Sequence, residues 1–440
     1  MSYVPHTPDE IERMLERIGV SGIEELFDSV PAALRRKAEL KLPPALAERG
    51  LLDHLGALAA RNISSASVAS FLGGGAYHHH IPAVVDSLSS RSEFLTAYTP
   101  YQGEVSQGTL QAIFEFQTLI CQLTGLEVAN ASLYDGASAV AEAALMAMRV
   151  TRRRKVRVSR GLHPSYAQVL RTYTQGLDAE IEPLELGPDG RTLPAEIDDD
   201  VACVIVQSPN FFGCVEDLEP FADAAHAAGA LLVGVTTEAL ALALLREPGS
   251  AGADIACGDA QSFGVPLGFG GPYVGFMATR QKHVRQLPGR LIGETVDASG
   301  ERAFVMTLTT REQHIRRERA TSNICTNQGL MALRATIYLA LLGRRGLRRL
   351  AEMNLALACY AREQLERAGL RRAYDAPFFN EFVVQVPGLT RKLDGLLERG
   401  LLGGLALERL DPARRDQLLV CTTEMNRRED IDHLVRELAA

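Results

Sequence analysis

At 440 residues, 46% of them apolar and 23% charged, the chain is long enough to bury a large core and to divide into two or three domains. A net charge of −8 and a pI of about 5.8 argue against nucleic acid or an anionic membrane as partner, and no apolar stretch approaches the length of a membrane span. Seven cysteines without CxxC spacing, and an acidic N-terminus without a hydrophobic signal region, read as reduced, mostly buried thiols in a cytoplasmic protein.

Thr7-Pro8-Asp9-Glu10 is a capping box with proline at the first helical position, and Ile11, Met14, Leu15 and Ile18 then recur at helical spacing. More helix is expected through Leu58, so residues 1–65 form an N-terminal helical segment. The glycine loop Leu72-Gly73-Gly74-Gly75 leads into Tyr77-His78-His79-His80. Consecutive histidines project in different directions and no nearby Cys or Glu completes a ligand set, so this reads as a loop packed at a subunit contact, with no metal. The stretch 96–108, TAYTPYQGEVSQG, is polar and turn-rich, and a helix is expected from about Leu110 to Leu123.

From Val128 to about Met277 helices alternate with short apolar strands. Helices are expected at Asp135–Val150 and Leu218–Ala228, the latter closed by Gly229. Strands are expected at Val156–Val158, Val201–Val206, Leu231–Val235 and Ile255–Cys257. Such alternation implies an α/β domain, residues 66–328, with a mainly parallel sheet covered on both faces. Within it the basic run Arg152–Lys155 reads as a solvated helix end, and His163 and His226 as structural histidines. A long helix from Gln328 to Leu342 opens a small C-terminal α+β domain, 329–440. Strands are expected there near Phe382–Val386 and Gln417–Cys421, with a closing helix Glu429–Leu438 capped at Asn426.

The segment Asp254–Gly275 is the most informative. A short strand, a polar turn and a glycine-rich loop, Gly264–Gly271, form the arrangement in which aminotransferase-like (fold type I) enzymes carry the lysine that binds pyridoxal phosphate as a Schiff base. Here the turn reads Gln261-Ser262-Phe263, and the lysine position falls near Ser262. The five lysines, Lys37, Lys41, Lys155, Lys282 and Lys392, all lie elsewhere. Such a site also needs a carboxylate on the pyridine nitrogen, expected at the end of the strand after AHAAGALL, and Val235 stands there. The helix opening at Gly136 and Ser138 offers N–H groups for a phosphate, although a simple N-cap reads equally well. The chain therefore reads as a cofactor fold with both chemical anchors removed.

Four long stretches then carry a resemblance: REQHIRRERATSNICTNQ (311–328), TAYTPYQGEVSQG (96–108), FLGGGAYHHHIP (71–82) and AQSFGVPLGFGGP (260–272). All resemble the P-protein family of the glycine cleavage system, and match its amino-terminal half, which in many bacteria is a separate subunit 1. The resemblance implies a homologous subunit 2 that carries the lysine and the carboxylate and binds pyridoxal phosphate covalently, in an α2β2 heterotetramer. It implies that the complex decarboxylates glycine and passes the aminomethyl group to the lipoyl arm of the H-protein, and that this chain alone is inactive. Tyr98, Tyr101 and Gln102 become candidates to border a shared active site. Arg317, Arg319, Thr321, Ser322 and Asn323 offer cations and hydrogen-bonding groups suited to a phosphate or an interface. Two competing readings are a free-standing pyridoxal phosphate enzyme using Lys282 and a non-catalytic scaffold.

Overall fold

The apolar runs read as buried strands form the middle of a seven-stranded sheet. A computed structural model describes residues 6–37, 40–65, 67–95 and 99–440, so Tyr98 lies outside the described residues. The chain divides into two compact units, Met1–Ile63 and Ser64–Ala440. In the first, the helix Pro8–Ile18 starts at its capping box, where Thr7 N–H donates to the Glu10 carboxylate at 2.8 Å, and stops at Gly19 in the left-handed conformation. Helices Ala32–Lys37 and Glu48–Ala59 follow.

The sheet of the second unit contains β1 (Val128–Ala129), β2 (Lys155–Ser159), β3 (Glu180–Leu184), β4 (Val201–Gln207), β5 (Leu231–Thr236), β6 (Ile255–Asp259) and β7 (Gly275–Thr279). Their spatial order is β1-β7-β6-β5-β4-β2-β3, parallel except for β7, which runs antiparallel to both neighbours. Every residue of β4, β5 and β6 is buried, as expected of strands covered on both faces. On one face Ile205, Val233, Val235 and Cys257 pack under the alanine-rich helix Gly136–Thr151. On the other, Val204, Val206 and Leu232 meet Phe221 and Ala225 of helix Glu219–Ala227, and Ala256 and Phe276 meet Phe116, Ala335 and Tyr338.

Three features differ from the sequence-based expectation. The helix expected to end at Leu342 runs from Gly329 to Arg367, with a break at Gly343, whose φ of 56° and ψ of 179° interrupt the helical ladder. The basic run after Thr151 is a fastener as well as a helix end. Arg153 donates to the carbonyls of Val201 and Ala228, and Lys155 lies within 3.5 Å of Glu182, Asp198 and Asp200. The final helix, Arg428–Ala439, begins at Arg427, whose N–H is accepted by Asp430. Asn426 instead bonds Thr423 N–H and Ser70 C=O, because these backbone groups are buried beside it. The small sheet pairs Glu381–Gln385, Gln417–Cys421 and Leu405–Ala406 over the core formed with the helix ends. No helix among the described residues is long and apolar enough to cross a membrane.

Candidate functional site

Ligands of open α/β sheets bind beyond the carboxyl ends of the strands, and Val235 and Ser262 stand there, on β5 and just past β6. Val235 pairs in register with Gln207 and Cys257, and its side chain belongs to the apolar layer. Ser262 is buried, with no hydrogen bond to its hydroxyl. Its neighbour Gln261 is fully used: the amide oxygen accepts from Tyr77 N–H at 2.8 Å, and the NH2 donates to the carbonyls of Tyr77 and Val265 at 3.0 and 2.8 Å.

The helix N-terminus at Gly136 and Ser138 is capped by the chain's own carboxylates. Gly136 N–H donates to Asp259 at 3.0 Å and Ser138 N–H to Asp135 at 2.7 Å. Tyr166 lies so close over Gly136 that any Cβ there would collide with its hydroxyl. Burial pushes the Asp259 carboxyl up, the N–H bonds from Gly136 and Gln261 pull it back, the nearby Asp135 pushes again, and the result is about 7. A phosphate arriving here meets two acidic side chains and donors already engaged, so these residues do not fit pyridoxal phosphate. The lysine reading fails on position too. Lys282 Nζ lies 3.7 Å from Asp254, largely exposed, at the amino end of β6. Ser262 lies past the other end of that five-residue strand, roughly 16 Å away at about 3.3 Å per residue.

Beside this region lies a buried ionic network that sequence reasoning missed. His79 sits between Glu238, 3.0 Å from Nε2, and Glu424, 2.9 Å from Nδ1, with all three side chains buried. Burial opposes the imidazolium, but the charge and hydrogen bonds of the two glutamates outweigh it and raise the pKa to about 10. Burial likewise opposes ionisation of Glu424, yet His79, Asn354 and His80 N–H hold it down at about 2. Tyr77 donates to Glu381 at 2.8 Å and Gly74 N–H does so at 2.6 Å. Burial raises Glu381 to about 7 against those two bonds. Gly75 has a φ of 109°, and a Cβ there would lie 2.6 Å from His163 Nε2, so the triple-glycine loop is a close approach only glycine permits. The loop expected at a subunit contact is thus packed inside the chain at His79. It joins the exit of β5 to the small sheet. The partners are 159 and 345 residues away in sequence, and the one local signal was acidic residues beside apolar strands, as in NEFVV and VCTTEM.

The third region gathers the remaining motifs. Buried Arg290 donates to Tyr101 Oη at 3.1 Å, Asn327 Oδ1 at 3.3 Å and Cys325 C=O at 2.9 Å, with Glu312 3.8 Å from its Nε. Its guanidinium also lies 5.4 Å from the Tyr101 ring centroid, and His314 meets that ring edge-on. Arg311 holds the carbonyls of Leu287, Leu308 and Gly289. Asn327 donates to Ala131 C=O, and Cys325 N–H to Tyr134 Oη, which brings this segment against the loop before Gly136. Thr321 N–H donates to Arg311 C=O, and Ser322 reaches the buried Glu142. Tyr101, Gln102, Asn323, Arg317 and Arg319 are exposed. The structure therefore links Tyr101 to the 311–328 segment. Arg290, Glu312 and Asn327, the residues that make the link, went unread, although two of them lie within the recognised motif.

The model of the family described as glycine cleavage system P-protein matches residues 1–438. A Thermomicrobium roseum protein named "Probable glycine dehydrogenase (decarboxylating) subunit 1" is 53% identical, with 100% of this chain and 99% of that one covered. A Desulfitobacterium hafniense protein of the same name is 50% identical, covering 99% and 98%. A crystal structure of glycine decarboxylase (P-protein) of the glycine cleavage system, in inhibitor-bound form, superposes with a TM-score of 0.92 at 47% identity, over 100% of this chain and 99% of that one. A sphingosine-1-phosphate lyase from Burkholderia pseudomallei shares the fold alone, with a TM-score of 0.64 at 14% identity over 93% of each chain. With an α/β aminotransferase-like fold and relatives matched end to end, the chain belongs to the glycine cleavage system P-protein family.

Proposed function

We propose that this chain is the lysine-free subunit of a cytoplasmic glycine-decarboxylating P-protein, paired with a homologous lysine-bearing subunit 2 in an α2β2 heterotetramer. The pair decarboxylates glycine, releases CO2 and passes the aminomethyl group to the lipoyl arm of an H-protein. Pyridoxal phosphate, bound covalently by the partner, supplies the electron sink. The observation that carries this reading is a strand-end region closed by its own side chains within a chain matched end to end by subunit 1 proteins.

The contribution of this chain is then positional. Tyr101, Gln102 and Asn323 border the partner's cleft as exposed tips on the scaffold held by Arg290 and Arg311. They shape it and exclude water, which strengthens every electrostatic interaction inside. The test is exchange of labelled bicarbonate into the carboxyl group of glycine, in the presence of H-protein, with each subunit alone and then together. Exchange requiring both subunits is expected. Exchange by this chain alone, abolished by Lys282→Ala, would establish a free-standing enzyme instead.

A further inference from the structure

The edge of the sheet farthest from β1 carries a cavity that neither the strand-end residues nor the Tyr101–Arg290 cluster uses. Its volume is about 440 Å³, and all of its walls belong to the second unit. Val158 of β2 sits opposite Pro183 of β3, and Val156 opposite Ile181, so these side chains share one face of the sheet. Helix Pro164–Thr174 packs Leu170 onto that face but leaves Ile181 partly covered and Pro183 exposed. Phe211 and Phe212, edge to face with ring centroids 5.5 Å apart, form a second wall. Leu407 and the half-exposed Leu410 form the third.

The charged side chains of the cavity reverse the sign of the chain as a whole, whose net charge is −8. Three are arginines, Arg160, Arg171 and Arg414, and one is an acid, Asp411. Asp411 lies 3.4 Å from Arg414 Nε, and Glu185, outside the lining, lies 2.7 Å from Arg160 Nε. One cation remains: Arg171, exposed and in no ion pair among the described residues. Arg414 is fixed in place, because it donates to Tyr374 and Gln417 and its guanidinium lies 4.0 Å from the Phe212 ring centroid. Its planar fork therefore loses little freedom when it meets an anion.

From this we infer that the cavity is a binding site for a small aromatic monocarboxylate. The ring lies against Phe211, Phe212 and Leu170, where edge-to-face contact adds to apolar burial. The carboxylate meets the guanidiniums, whose paired donors match its two oxygens. A single uncompensated cation selects a monoanion over a phosphate dianion. The volume falls within the roughly 300–1,000 Å³ of pockets that take small molecules, and toward the small end of it. Such a ligand bridges the sheet edge to Leu407–Arg414, so its binding stabilises the folded chain.

The experiment titrates the full chain calorimetrically with 3-phenylpropionate, its neutral amide and phenyl phosphate. The variants are Arg171→Glu, which reverses the free cation, Leu410→Trp, which fills the cavity, and Arg371→Glu, an exposed arginine elsewhere, as control. All three positions are exposed, so circular dichroism should show each variant melting like the wild type. The carboxylate should saturate one site and raise the melting temperature. The amide should bind roughly 10- to 100-fold more weakly, as should the carboxylate to Arg171→Glu. Leu410→Trp should lose binding, and Arg371→Glu should keep it. No saturable binding of 3-phenylpropionate up to roughly 10 mM, or wild-type affinity in both Arg171→Glu and Leu410→Trp, overturns the site. Equal affinity for the amide overturns the role of the arginines, and tighter binding of phenyl phosphate overturns the choice of a monocarboxylate.

Discussion

The strand-end region and the Tyr101–Arg290 region use polar groups in opposite ways. Beyond β5 and β6 the chain spends its donors on itself: Gly136 N–H on Asp259, Gln261 on Tyr77 and Val265, Tyr77 on Glu381. Around Arg290 the two terminal nitrogens of the buried guanidinium are engaged from within, but it holds Tyr101 with half its surface in solvent, and Gln102 and Asn323 stay exposed. One region has been turned into structure and the other is built to present side chains outward. The comparison teaches that a helix N-terminus and a strand end can be satisfied wholly by the chain's own side chains, because both need partners.

The largest test of the contrast is His79→Leu, which leaves Glu238 and Glu424 buried without their cation. Breaking a buried pair this way costs about 3–5 kcal/mol, measured as a fall in denaturant midpoint. The protein that remains folded should keep wild-type affinity for subunit 2. Next is Arg290→Lys. A single ammonium cannot reproduce a fork that reaches Tyr101, Asn327 and Cys325 together. Stability should fall by about 1–3 kcal/mol, while bicarbonate exchange in the reconstituted pair falls roughly 10- to 100-fold from misplaced groups. Unchanged exchange would place Arg290 with the purely structural residues and erase the distinction.

Titration sharpens it further. Raised pKa values favour folding at low pH: the Glu381 contribution is complete below about 4.5 and lost as pH rises through about 7. The His79 contribution is complete below about 6.5 and lost on passing about 10. Melting temperature should therefore decline in two steps from weakly acidic to alkaline pH. Asp259, also raised to about 7, shares the first step, so Glu381→Gln, which keeps an acceptor for Tyr77 and Gly74, should shrink the first step and leave the second. The smallest effect is expected of Tyr101→Phe, which removes one hydrogen bond at an exposed hydroxyl, about 0.5–1.5 kcal/mol, with a few-fold loss of exchange and an unchanged melting profile.

Much of the fold could be read directly. The runs 201–206, 231–235 and 255–257 are apolar without alternation, and only a strand buried on both faces reads so. The hairpin Leu291–Val296 with Arg302–Thr307 escaped notice because its half-exposed strands mix charge with apolar residues. That none of the five lysines lies between β6 and the glycine-rich loop could be taken from the residues alone. What could not be read was the replacement. Asp259 capping Gly136 spans 123 residues and His79 reaches Glu424 across 345, and no local pattern encodes either. Arg290 lies outside every recognised motif, although it is what ties two of them together. Tyr98, read as a site residue, lies outside the described residues.

The central claim is that the cofactor belongs to the partner. Borohydride reduction of the reconstituted pair in the presence of pyridoxal phosphate, followed by mass spectrometry of each subunit, tests it most directly. The account predicts reduced cofactor on a lysine of subunit 2 and none on this chain, alone or in complex. Cofactor trapped on Lys282 or any other lysine of this chain would contradict it.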